Sequence, residues 1–181
     1  MLIDAHRSVL LVIDMQEKVL PAIHEHARVV ANVEWLIRAA QKIGVPVAAT
    51  EHYPKGLGHT AKAIRVLLPE GAVGTKNHFS SVAAQCLTRL PGADRTQVVV
   101  VGVEAHVCLL QTALELVEEG KEVYVVADCV GSRREFDRDL ALARMRQEGA
   151  RVVSREMVVF EWLAEAATPL FDEVSKELLR A

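Results

Sequence analysis

The feature that most constrains the fold is a set of unbroken aliphatic runs separated by stretches of helical periodicity. The runs do not alternate apolar and polar residues, which is typical of strands covered on both faces, as in a parallel sheet. We predict strands at Val9–Ile13, Val45–Thr50, Ala72–Lys76, Val98–Val103 and Glu122–Ala127, and a sixth beginning at Arg151–Ser154, with the apolar run Met157–Phe160 following closely.

The segments between these runs predict helices. Apolar residues recur at helical spacing over Ala27–Ile43, Val107–Val117 and Asp137–Gln147, and each segment is followed by a glycine, the expected helix stop. Shorter candidates are Ala61–Leu68, Val82–Leu90 and an amphipathic stretch at Thr168–Ala181. Strands that alternate with helices predict right-handed crossovers and a three-layer α/β sandwich.

Size and composition limit the classes of protein that the chain can represent. Its 181 residues suit a single domain spanning 1–181, and acidic and basic residues are mixed along it with a net charge of −3. The chain lacks a basic block, so we expect no nucleic-acid partner. No apolar run approaches the roughly 20 residues of a membrane span, and the first residues do not resemble a signal peptide, so we expect no membrane association.

The cysteines point to a reducing compartment. Three are present, at positions 86, 108 and 129, and no two have the C-x-x-C spacing. This pattern argues against a disulfide framework and a zinc knuckle. Free thiols suit the cytoplasm, where we expect the protein to function.

Three reactive residues fall at the predicted carboxyl ends of strands, where open parallel sheets bind ligands. Asp14 ends the first strand, Lys76 ends the third, and Cys108 follows the fourth at the start of a helix. The positive end of a helix dipole stabilises a thiolate, so Cys108 is the candidate nucleophile. The alternatives are a buried apolar Cys108, a capping Asp14 and a surface Lys76. Cys86, in a predicted amphipathic helix, and Cys129, just after a strand, are interpreted as structural.

Histidines provide an alternative chemistry. His52 and His59 flank a loop without an aspartate, a pattern more typical of solvated surface than of metal ligands, and we predict no metal and no other cofactor. His106 lies two residues before Cys108, so on a helix the two side chains point to different faces and His106 is a weak candidate for a paired base. Whether these histidines or His78 contact a substrate stays open.

Three segments together resemble the signature segments of the isochorismatase-like cysteine hydrolases. They are Leu11-Val12-Ile13-Asp14-Met15-Gln16, Thr75-Lys76-Asn77-His78-Phe79-Ser80 and Gly102-Val103-Glu104-Ala105-His106-Val107-Cys108. Each is weak alone, but their order and their places at strand ends make the set specific. The resemblance extends from Val9 to about Phe160 and implies a Rossmann-like, six-stranded parallel sheet with helices on both faces.

The resemblance also implies a mechanism. Asp14 would be the general base, Lys76 its electrostatic partner and Cys108 the nucleophile, and the N–H groups of Glu104 and Cys108 would form an oxyanion hole beside a cis peptide bond between Val103 and Glu104. Metal-dependent nicotinamidases have an aspartate and histidines at positions that the loop Thr50–Gly58 does not match. True isochorismatases lack the cysteine that this chain has at position 108.

The expected function is therefore hydrolysis of a small amide or carbamoyl-type substrate through a thioester, by a protein that the resemblance implies is a homo-oligomer. The alternative is a non-catalytic binding or scaffold module that keeps the fold.

Overall fold

The structure is a computed structural model that describes residues 1–179. All six strands of its sheet are parallel, in the order β3-β2-β1-β4-β5-β6. The strands are β1 Ser8–Ile13, β2 Val47–His52, β3 Val73–Lys76, β4 Gln97–Val103, β5 Glu122–Gly131 and β6 Arg151–Val153. The predicted six-stranded α/β sandwich is confirmed.

Helices cover both faces of the sheet. They are α1 His26–Ile43, α2 Pro54–Leu57, α3 Lys62–Arg65, α4 Leu110–Glu118, α5 Glu135–Gln147, α6 Arg155–Leu163 and α7 Pro169–Val174. Helices α1, α3, α6 and α7 pack together on one face, and α4 and α5 pack on the other. Within residues 1–179, no helix combines the length and apolar content that crossing a membrane requires.

The two covered faces explain the continuous aliphatic runs. In β1, Leu10 and Val12 belong to the core under α1, whereas Val9, Leu11 and Ile13 belong to the core under α4 and α5. Successive side chains of a strand point to opposite faces. Because both faces are buried, every position from Val9 to Ile13 is apolar.

Three predicted elements differ from the structure. Val82–Leu90 is a series of turns, because Gln85 adopts a left-handed φ of 53° and Pro91 follows, so Cys86 lies in a turn and not in a helix. The apolar run Met157–Phe160 is helical and lies in α6, which begins where the Ser154 hydroxyl accepts a hydrogen bond from the Met157 N–H at 3.2 Å. Strand β5 continues to Gly131, so Cys129 lies within it.

Other predicted elements are shorter or less regular than expected. Only Lys62–Arg65 of the predicted helix Ala61–Leu68 is helical. A single π-helical turn, Ala105–Leu109, precedes α4, and a second, Ser175–Leu179, follows α7. Positions 180 and 181 of the predicted C-terminal helix lie outside the described residues.

The strand order places a topological switch point between β1 and β4. The chain proceeds outward from β1 through β2 to β3 and then returns to β4 on the other side of β1. Crossover connections therefore diverge at the carboxyl ends of these two strands and leave a crevice there. Asp14 follows β1, and Glu104 follows β4, so both lie at this crevice.

Candidate active site

A buried ion pair lies at the switch point. The Lys76 Nζ is 2.7 Å from Asp14 Oδ2, and neither side chain is more than 4% exposed. The Lys76 ammonium also donates to the carbonyl oxygen of Phe79 at 2.9 Å and lies 3.4 Å from that of His78. A buried ammonium is tolerated when several acceptors surround it. The structure thus brings together two of the three predicted residues.

Asp14 is held by its neighbour in β2. Its N–H donates to the Thr50 carbonyl oxygen at 3.1 Å, and its Oδ1 accepts from the Thr50 hydroxyl at 2.7 Å. The Asp14 backbone is left-handed, with a φ of 49°, which aspartate adopts more readily than most residues do. Sequence reasoning missed Thr50, because its role depends on the register that places it opposite Ile13.

Cys108 and Asp14 line one cavity. Its side chain is buried, in the π-helical turn before α4. Burial, together with the Asp14 carboxylate, raises the pKa of the Cys108 thiol to about 12, and the Lys76 ammonium opposes this rise. The expected stabilisation of the thiolate by the helix start is therefore outweighed, and the free thiol keeps its proton at neutral pH.

The turn before Cys108 exposes backbone polar groups. The peptide bond between Val103 and Glu104 is cis. The Glu104 carbonyl accepts hydrogen bonds from the N–H groups of Val107 and Leu109, at 3.1 and 3.2 Å, whereas the Glu104 N–H donates to no group in residues 1–179. A backbone N–H left without a partner is uncommon in a half-buried position and is available to a ligand.

Glycine at position 102 allows this turn to approach β1. Gly102 has a φ of +114°, and a Cβ built on it would lie 2.1 Å from the Ile13 carbonyl oxygen. Only glycine fits such a position. The close approach brings the end of β4 against the residue that precedes Asp14.

The cavity beside Cys108 has a volume of about 310 Å³. Its walls combine Asp14 and the Cys108 turn with apolar side chains and two cations; they include Asp14, Lys18, Val19, Ile23, Leu57, Phe79, Val107, Cys108 and Arg133. Lys76 does not line the cavity; its fully buried ammonium contacts Asp14, which does. Small-molecule sites commonly have this composition, apolar walls with a few polar groups.

The Gln16 side chain stabilises one wall of this cavity. Its side-chain NH₂ group donates to the backbone carbonyl oxygens of His52 and Gly58 at 2.9 and 2.6 Å. Its side-chain oxygen, Oε1, accepts from the His52 N–H at 2.7 Å. The loop that contains α2 is thereby tied to the end of β1. The sequence offered no signal for this role beyond the place of Gln16 in the first signature segment.

A larger cavity, of about 450 Å³, lies elsewhere, under the turns that replace the predicted helix Val82–Leu90. Its floor is formed by apolar side chains of the sheet, among them Val9, Leu11 and Val98. Volume alone would favour this cavity. The smaller one is the better candidate, because Asp14 and Cys108 both line it and neither lines the larger cavity.

The four histidines considered as ligands or bases, His52, His59, His78 and His106, lie in different surroundings. His52 lines the cavity and its ring lies 5.3 Å from that of Phe79. His59 is largely exposed, and its Nδ1 lies 3.0 Å from the Glu51 carboxylate. His78 is exposed. His106 Nδ1 lies 2.9 Å from the Ser132 hydroxyl. Among residues 1–179, no three His, Cys, Asp or Glu side chains are grouped to hold a metal ion.

Glu51 stabilises the loop that contains α2. Burial alone would raise its pKa, but hydrogen bonds from the Thr60 N–H and hydroxyl, together with His59, lower it overall. Glu51 therefore stays ionised and anchors Thr60. Its partners occupy both carboxylate oxygens, so we assign Glu51 to the support of the loop.

The strand order and the crevice at its switch point define a doubly wound parallel α/β fold. Residues 8–157 match the family model of the isochorismatase domain, so the chain belongs to this family. It is 40% identical over 176 residues to isochorismatase domain-containing protein 2 of Danio rerio, covering 94% of this chain and 86% of that protein.

Solved structures show the same fold. The MAR1 ribonuclease of Caenorhabditis elegans is 36% identical and superposes with a TM-score of 0.88, covering 99% of this chain and 93% of that one. The YcaC gene product of Escherichia coli, described as an octameric hydrolase of unknown specificity, is 21% identical with a TM-score of 0.88, over 99% and 91% of the two chains. The latter likeness concerns the fold alone.

Proposed function

We propose that the protein is a cysteine-dependent hydrolase that cleaves a small amide or carbamoyl-type substrate through a thioester. The observation that carries this proposal is that Asp14, paired with the buried Lys76 at 2.7 Å, lines the same cavity as Cys108. A nucleophile and a base that line one cavity, with a buried cation that holds the base in place, form the arrangement that covalent catalysis requires.

The raised pKa of Cys108 determines how the first step proceeds. With a pKa of about 12, the thiol is not ionised in advance. Its proton passes to the Asp14 carboxylate as the sulfur attacks the substrate carbonyl, and Lys76 stabilises the charge that moves through the pair. The oxyanion of the tetrahedral intermediate accepts hydrogen bonds from the N–H groups of Glu104 and Cys108.

The remaining steps return the enzyme to its starting state. The C–N bond breaks, and the leaving amine takes the proton from Asp14, which leaves a thioester on Cys108. Water then attacks the thioester carbonyl and gives one proton to Asp14. The C–S bond breaks, the acid product departs, and the sulfur recovers its proton from Asp14. One water is consumed, and no cofactor takes part.

The test is a screen of small amides, ureas and carbamoyl compounds for ammonia release. Asp14→Asn keeps the size of the side chain but removes the base, so we expect kcat to fall by about 10²–10⁴-fold, and Cys108→Ala should abolish turnover. Cys108→Ala should keep a thermal midpoint near that of the wild type, whereas Asp14→Asn leaves the buried Lys76 ammonium without its counter-ion and should lower the midpoint. Circular dichroism at the assay temperature therefore has to show that Asp14→Asn is folded. Full activity in Asp14→Asn would overturn the assignment of the base.

The same screen separates an enzyme from a binding or scaffold module. A scaffold would release no ammonia from any compound, and its binding properties would be unchanged by Asp14→Asn. RNA should be tested in parallel, with strand cleavage followed on a gel because it releases no ammonia, since one structural relative is described as a ribonuclease. A net charge of −3 with no basic block argues against strong binding of a polyanion.

We further propose a homo-oligomer in the cytoplasm. The octameric description of the Escherichia coli relative supports the assembly, and the three free cysteines support a reducing compartment. Light scattering of the purified protein tests the first point: a monomer at micromolar concentration would contradict it.

A further inference from the structure

The charges that line the cavity beside Cys108 do not balance. Four charged residues besides Lys76 contribute to or contact this site: Asp14, Lys18, Glu104 and Arg133. Asp14 is neutralised by Lys76, and Glu104 Oε2 lies 2.8 Å from Arg133 Nε. The Lys18 ammonium lies 3.2 Å from the Gly56 carbonyl oxygen and forms no ion pair with any carboxylate in residues 1–179. One positive charge is therefore left over.

Arg133 keeps part of its hydrogen-bonding capacity free. Its Nε and its backbone N–H are directed to Glu104, at 2.8 and 3.3 Å. Its two terminal nitrogens donate to no group in the described part of the chain, and the side chain is 60% exposed. A guanidinium presents a planar fork of N–H donors that matches the two oxygens of a carboxylate.

Both cations belong to the walls of the cavity that holds the nucleophile. Lys18 follows β1 and Arg133 follows β5, so different elements bring them to the same space. Val19, Ile23 and Val107 contribute apolar surface to the same cavity, and the volume of about 310 Å³ is at the small end for ligand sites. A ligand that suits these walls has a short apolar spacer and one anionic end.

We infer that the substrate is a small amide or carbamoyl compound that carries a carboxylate, which Lys18 and Arg133 bind while Cys108 attacks the carbonyl at the other end. The inference rests on the proposed function, because it names the class of substrate for that site. It makes Lys18 and Arg133 specificity-determining residues. Neither had been predicted from the sequence, since each depends on the folding of a loop.

Binding to the Cys108→Ala protein tests the inference without turnover. The probes are succinamate, which has a carboxylate at one end and a primary amide at the other, and butanamide, its neutral counterpart of similar length. By calorimetry at low salt, succinamate should bind about tenfold or more tightly than butanamide, since charge-assisted hydrogen bonds are the stronger ones. Equal affinities would overturn the inference.

Two variants locate the effect. Lys18→Gln and Arg133→Gln should each weaken succinamate binding about tenfold while leaving butanamide binding unchanged, and Arg133→Lys, which keeps the charge but not the fork, should retain part of the affinity. The matched control is Arg65→Gln, which removes an exposed positive charge from α3, away from the cavity. An equal loss of affinity in Arg65→Gln would show a general effect of charge and would overturn the inference.

The two proposals fail separately. If the Cys108→Ala protein prefers succinamate as expected, and the wild type releases no ammonia from any amide, then the carboxylate site stands and the hydrolase proposal falls. If the wild type hydrolyses neutral amides as fast as their carboxylate counterparts, then the hydrolase stands and the inference about its substrate falls.

Discussion

At the scale of single residues, Thr50 shows how the register between β1 and β2 fixes the orientation of the Asp14 carboxylate. Its hydroxyl donates to Asp14 Oδ1 at 2.7 Å, and Lys76 holds the other oxygen at 2.7 Å. The carboxylate is thus fixed at both oxygens and cannot rotate away from the thiol. Thr50 does not touch the substrate in the proposed reaction, so it is a positioning residue.

Thr50→Val tests this role. Valine keeps the shape of threonine but removes the donor, and the loss of one hydrogen bond to an ionised group costs about 1.5–3 kcal/mol. We expect kcat to fall about tenfold or more with little change in KM, and Thr50→Ser to retain most of the activity. If Thr50→Ser loses as much activity as Thr50→Val, the loss comes from the packing of the threonine methyl group and not from the orientation of Asp14.

The buried thiols make stability depend on alkaline pH. Burial raises the pKa of Cys108 from its ordinary 9.0 to about 12, so between these values the unfolded chain releases a proton that the folded chain keeps. Unfolding is therefore increasingly favoured as pH rises above about 9. Cys129, buried within β5, has its pKa raised in the same direction.

Cys108→Ala isolates one of these contributions. Between pH 8 and pH 10 we expect its free energy of unfolding, measured with urea and a reductant, to fall by about 1 kcal/mol less than that of the wild type. The slope with pH is the relevant quantity, because the substitution itself also changes stability at any single pH. Equal falls in both proteins would mean that Cys108 ionises as readily in the folded state as in the unfolded one.

At the scale of elements, the contact between the ends of β1 and β4 depends on Gly102. Gly102→Ala would place a methyl group 2.1 Å from the Ile13 carbonyl oxygen, and neither backbone can yield without breaking the ladder. We expect a loss of about 3 kcal/mol or more in the free energy of unfolding, measured by urea titration.

Gly120→Ala is the matched control. Gly120 also has a positive φ, of +81°, but a Cβ built there meets no atom within 4 Å. Only the backbone strain is then added, about 1–2 kcal/mol. If both variants lose the same amount, the approach of β4 to β1 is more adaptable than the geometry indicates.

The elements also show what could be predicted from the sequence. The strands were predictable because both of their faces are buried, which produces runs such as Val98–Val103. The turns at 82–90 were not, because Val82, Leu87 and Leu90 face the core from a loop at a spacing that resembles a helix. Asp14, Lys76 and Cys108 were found at strand ends, whereas Thr50 and Arg133 depend on tertiary contacts that no local pattern records.

At the scale of the whole molecule, we propose that residues 1–181 form one domain. The cores on the two faces share every central strand of the sheet, so neither can lose its packing alone. We expect a single cooperative urea transition, with coincident midpoints by far-UV circular dichroism and by tryptophan fluorescence. Two separated transitions would show that one layer unfolds independently.

The strand order has a consequence for how the chain acquires its reactive site during folding. The central pairing joins Ser8 to Gln97, residues far apart in the sequence, whereas β1, β2 and β3 are neighbours both in the sheet and along the chain. Contacts between distant segments form slowly, because a long loop must close first. On a ribosome, which synthesises the amino-terminal part first, Asp14 and Lys76 are added to the chain before Cys108. The nascent chain therefore contains the base and its counter-ion before it contains a nucleophile, and the site becomes complete only when β4 docks against β1.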